Sequence, residues 1–103
     1  MGKNRILKTL GKRIGNVVLH KLLVKYTNRP ESKGHLESEE IIYRDDAIKD
    51  SMKYNWNSDD KKLLKEIALE FIKNKKETKY NDVEFFLVEA SEFVKKEIES
   101  LEL

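Results

Sequence analysis

Between residues 6 and 18 the apolar positions fall on one side of a helix. At 100° per residue Ile6, Leu7, Leu10, Ile14, Val17 and Val18 share one face, and Arg5, Lys8, Lys12, Arg13 and Asn16 share the other. From Leu19 the pattern widens: Leu19, Leu22, Leu23 and Val24 surround the axis, while Lys21 and Lys25 fall on the former apolar face. Gly11 and Gly15 stand four apart, a spacing that lets another backbone approach on one side, although each weakens a helix by about 1 kcal/mol relative to alanine. The pattern predicts a helix over about 4–26. Its second half is either packed on several sides or set off by a kink near Gly15, and a single bent helix is the expectation.

Pro30 disfavours the α conformation at Arg29, and Gly34 adds a second break, so residues 27–35 read as a linker. A second helix is expected over about 36–54, with Ser32 or Ser38 as caps and Glu37, Glu39 and Glu40 at its positive end. It carries two apolar stripes, Ile41–Ile48–Met52 and Leu36–Tyr43–Ala47–Tyr54, which predict two neighbours and a central place. In "NWNSDD", Asn57 or Ser58 can cap a third helix over about 59–76, with Asp59 and Asp60 in its first turn. Leu63, Leu64, Ile67, Ala68, Phe71 and Ile72 form its stripe.

Asn81 and Asp82 open a fourth helix over about 82–101, with Val83, Phe86, Leu87, Ala90, Phe93, Val94, Ile98 and Leu101 on one face. "VEFFLVEA" alone has strand character, but helical spacing continues for another dozen residues, so helix is expected. Phe85 and Val88 lie opposite that face and predict a contact with another helix of the chain or with an oligomer partner. The expected fold class is all-α: a single compact bundle of four helices in one domain, 1–103, with the linker joining a basic first helix to an acidic three-helix body.

Composition supports this architecture. A chain of 103 residues holds one core, and 39% hydrophobic residues beside 39% charged is too apolar for disorder. The absence of cysteine excludes disulfides, thiolate metal sites and cysteine nucleophiles. No run approaches the ~18 apolar residues of a membrane span. The basic start followed by "VVLHKLLVKY" has the outline of a secretory leader, but His20 and Lys21 interrupt it and no small-residue cleavage pattern follows. A soluble, cytoplasmic protein is expected.

Little in the chain suggests chemistry. His35 with Glu37, Glu39 and Glu40 is the one cluster of metal-ligand types, but its spacing matches no zinc pattern and a helix start attracts carboxylates anyway. No metal or cofactor is expected. His20 and His35 would make an acid–base pair only if folding joined them, and His20 sits in an apolar run that predicts a packed side chain. There is no phosphate loop, nucleophile elbow or triad, so the expectation is not an enzyme. Trp56, the only tryptophan, reads as the closure of one end of the core rather than an exposed platform for stacking bases.

Charge changes the picture most. The net charge of +2 conceals a basic block: residues 1–30 hold Lys3, Arg5, Lys8, Lys12, Arg13, Lys21, Lys25 and Arg29 and no acid. The row Arg5, Lys8, Lys12, Arg13 and Asn16, extended by Arg29 and Lys33, can follow RNA or DNA phosphates without reading sequence. Nucleic-acid binding is therefore the expected function. The competing expectation is an adaptor or structural subunit, homo-oligomeric through Phe85 and Val88, whose basic helix docks on protein, including a second copy of itself; a basic block of this kind can equally dock on the chain's own acidic part. Trp and Phe anchors are absent from the apolar side of the first helix, which argues against membrane binding.

Overall fold

A computed structural model describes residues 2–26, 33–79 and 85–101. Four helices follow one another: α1 (Gly2–Tyr26), α2 (Lys33–Ser51), α3 (Ser58–Thr78) and α4 (Leu87–Ser100), with no strand among the described residues. At ~1.5 Å per residue, the 25 residues of α1 span nearly the whole 40 Å long axis of the molecule. α1 is the hub. It touches all three other helices, α3 also touches α4, and the backbone of α2 packs on α1 alone.

Paired side chains give the directions. His20 meets Glu39 and Arg13 meets Asp50, so α2 runs antiparallel to α1. Lys3 meets Asp60 and Gly15 meets Phe71, so α3 runs parallel to it. Lys25 meets Glu89 and Lys21 meets Glu97, which sets α4 antiparallel.

The central place of α1 explains its changing pattern. Leu7, Leu10, Ile14, Val17 and Val18 are buried on the expected face, and Leu19, Leu22 and Leu23 are buried around the axis where three neighbours converge. The helix is continuous, and its second half is packed on several sides. Lys21 and Lys25 sit on the former apolar face because acids of α4 are waiting there.

The glycine pair works as its spacing suggests. A Cβ on Gly11 would lie 2.6 Å from Ile67 Cγ2, and one on Gly15 would lie 2.9 Å from the Ala68 carbonyl oxygen. Both contacts belong to α3, and neither can yield cheaply: Ile67 is β-branched, and moving Ala68 O means moving α3. Overpacking costs about 1–3 kcal/mol, against about 1 kcal/mol gained in helix propensity. Gly15→Ala and Gly11→Ala are therefore expected to lower stability in urea titrations, whereas Gly34→Ala, with nothing within 4 Å, should be neutral or slightly stabilising.

Local signals account for the helix ends. Asn57 caps α3: its Oδ1 accepts from Asp60 N–H at 2.8 Å, and Asp60 Oδ2 accepts from Asn57 N–H at 3.1 Å, a complete capping box. The Asn57 N–H, then Lys3, hold the Asp60 carboxyl below its ordinary range. Trp56 is buried, and its indole N–H donates to the Ser51 carbonyl at 2.8 Å, so the tryptophan closes one end of the core where α2 stops.

Three expectations need correction. α2 is peripheral, not central: its stripe Ile41–Ile48–Met52 is exposed rather than covered by a second helix, and the helix ends at Ser51 rather than Tyr54. α4 begins at Leu87, not residue 82, and Asn81, Asp82 and Val83 lie outside the described residues. The two phenylalanines before it have opposite fates, Phe85 at 5% exposure in the core and Phe86 at 80% outside. Neither is helical, and Phe86 has extended dihedrals, so neighbouring side chains point in opposing directions. A helical register through both could not foresee this.

Candidate interaction surface

The row of basic residues on α1 divides once the chain folds. Arg13 turns inward to α2, donating to Asp50 and, at 3.4 Å, to the Asp46 carbonyl. Asp50 is buried and also pairs with Lys53 at 3.3 Å. Asn16 is half-buried, and its carbonyl accepts from the Nδ1 side of His20 at 2.8 Å. Arg5, Lys8 and Lys12 are exposed and have no ion-pair partner among the described residues. Arg29 lies outside the described residues, as does the side chain of Lys33, although Lys33 opens α2. Of the described residues of the row, the part open to an anion is therefore three cations along the first half of α1.

His20 is packed, as its apolar neighbours predicted. Its Nε2 lies 2.7 Å from Glu39 Oε2, and its ring tilts against Tyr43 with centroids 5.1 Å apart. The side chains of His35 and Glu37 are not among those described, so the His20–His35 pairing lies outside them too. No group of three or more His, Asp or Glu among the described residues is arranged to hold a metal ion. Among the described residues, no helix is long and apolar enough to cross a membrane.

Acids answer the remaining α1 cations. Glu97 of α4 is buried; its Oε2 accepts from Lys21 at 3.0 Å, and Arg44 of α2 lies 3.4 Å from its Oε1 without hydrogen-bond geometry. Glu89 accepts from Lys25 at 2.6 Å and from the Tyr26 hydroxyl. Those bonds, Lys25 first, hold the Glu89 carboxyl below its ordinary range, and Glu89 in turn raises Lys25 and Tyr26.

The signs follow for pH. A depressed carboxyl adds stability above the unfolded Glu range, near 4.3, that disappears as pH falls through the folded value. A raised Lys or Tyr adds stability below about 10 that disappears as pH rises through the folded value. Glu89→Gln should flatten both limbs of a thermal-stability profile measured from pH 3 to 11, because one carboxylate supports both.

The outer side of α2 is the most distinctive surface. Ile41, Ile48 and Met52 recur at spacings of seven and four, which puts them in one line, and Ile42 flanks it. Ile41 is 64% exposed and Met52 80%. The line runs into an open groove of about 630 Å³ between the end of α2, the connector and the end of α4, lined among others by Ile48, Met52, Tyr54, Trp56 and Leu101. Comparison with protein families, characterised proteins and solved structures finds no match to this chain. A smaller apolar step lies at the start of α4, where Phe86, Leu87 and Val88 are exposed. Of the expected pair Phe85 and Val88, only Val88 is on the surface, and Phe85 meets its own chain. The exposed stripe of α2 is present in the sequence, but nothing there distinguishes a second neighbour within the chain from one outside it.

Proposed function

We propose that this is a helical protein-interaction module that docks a partner helix or loop along the outer face of α2. The supporting observation is that Ile41 and Ile42 stand mostly in water on α2, with Met52 continuing their side in the turn just after it, and that among the helices the backbone of α2 packs against α1 alone. A soluble domain gains nothing from such a line unless something covers it. Placing a photo-crosslinking residue at Ile41 or Met52 in the native host tests this reading. Discrete protein adducts at these sites, and none at the exposed control Lys62, are expected. An equal background at all three sites overturns it.

A second reading rests on the exposure of Arg5, Lys8 and Lys12. Held on a rigid hub helix, these cations can contact RNA or DNA phosphates by charge alone. Reversing all three to Glu should abolish retention on nucleic acid at low salt without changing the melting temperature. Wild-type protein that is not retained in a salt-sensitive way removes this reading. With Arg13 engaged by Asp50, three cations of the row remain open among the described residues, which favours weak binding and puts this reading second.

A further inference from the structure

We infer that α2 is a releasable clasp, held on the other three helices chiefly by charged and hydrogen-bonded side chains, and that it opens as a unit while α1, α3 and α4 stay folded. The observation is an imbalance in what each helix buries. α3 contributes Leu64, Ala68 and Ile72 to the core, and α4 contributes Ala90, Val94 and Ile98. Among the described side chains of α2, Ala47 is the only apolar one buried; the others that are buried, Asp50 and Ser51, are polar. Among the described side chains, the half-buried hydrophobics packed against the core come from α1, α3, α4 and Leu101, and none comes from α2.

What attaches α2 instead is a row of polar contacts along its length. His20 meets Glu39, Lys21 lies 3.9 Å from Glu40, Arg13 reaches the Asp46 carbonyl and Asp50, and Arg44 approaches Glu97. In each of these ion pairs one partner keeps about a third or more of its side chain open to water: Arg13 37%, Glu39 32%, Lys21 33% and Arg44 45%. Such pairs lose less on separation than an apolar contact does, because water resolvates the freed charge. Opening exposes the face of α1 that follows Arg13 at helical spacing, Val17, His20 and Val24. Elements with few buried apolar contacts are those that open locally, below the free energy of global unfolding. The inference stands whether or not a partner docks on the outer face of α2.

Hydrogen–deuterium exchange of the full-length protein tests it. Amides in the middle of α2 are expected to exchange at least tenfold faster than those in the middle of α1, α3 and α4. Glu39→Gln with Asp50→Asn should speed α2 by a further factor of ten or so and leave the other three helices unchanged. Wild-type α2 protected as strongly as α3 overturns the inference, with no variant needed. So does a double variant in which all four helices lose protection together.

Discussion

A chain beginning at Pro30 is expected to show no cooperative unfolding transition, although it retains the whole of α2, α3 and α4. Deleting residues 1–29 removes Leu7, Leu10, Ile14, Val17, Val18, Leu19, Leu22 and Leu23, all buried. Each such side chain contributes about 1.5–3 kcal/mol, so together they match or exceed the ~5–15 kcal/mol net stability of a typical domain. The deletion also strips Ala47, Leu64, Ala68 and Ala90 of the surface they pack against, and it leaves α2 without the one helix its backbone touches. Circular dichroism on heating should show a shallow, non-sigmoidal loss of helix, with exposed apolar surface that binds a hydrophobic dye. A sharp transition near the wild-type melting temperature would show that α1 is an appended arm.

The second large effect is expected at Glu97, and its ordering runs against a count of ion pairs. Glu97 faces both Lys21 and Arg44, so a tally makes it the key residue. Burial points the other way. The Glu97 side chain is 3% exposed, whereas those of Lys21 and Arg44 are 33% and 45% exposed. Lys21→Met with Arg44→Met strands a carboxylate inside the protein, a change that costs about 3–5 kcal/mol. Glu97→Met leaves two cations that reach water, removes a buried oxygen without a hydrogen bond, and fills its place with apolar volume. A change of less than about 1 kcal/mol, in either direction, is expected. Urea titration of the two variants decides it: a Glu97→Met protein less stable than the double variant would show that the network stabilises as a unit.

Four helices in one bundle were legible from periodicity and from Asn57, Asp60 and the glycine pair, because these act within a few residues of themselves. The centre of the bundle was not. α2 and α1 both show apolar residues on more than one side, and only packing reveals that α1 is enclosed by three neighbours while Ile41, Ile48 and Met52 remain outside. Phe85 and Phe86 were misassigned because neither is helical, so the helical spacing of α4 does not extend back to them. The basic row was visible as a row, but Asp50 lies 37 residues from Arg13, and no local pattern signals that the two meet. Lys21 and Lys25 on an apolar face were a legible anomaly, and their partners lie 76 and 64 residues away.

Those separations carry a consequence for the order in which the protein is made. α1 leaves the ribosome before any helix that buries it, and α4 contacts it across more than 60 residues of later chain. At ~5–20 residues per second, the segment from Tyr26 to Ser100 takes roughly 4–15 s to synthesise. Until that interval ends, the eight core side chains of α1 lack their full cover, which α2, α3 and α4 supply in turn. Long-range closure of this kind also slows folding relative to bundles built from neighbouring helices. The acid-free stretch of seven lysines and arginines on α1 gives nascent chains a shared positive charge, which keeps one exposed α1 from associating with the next until α3 and α4 arrive.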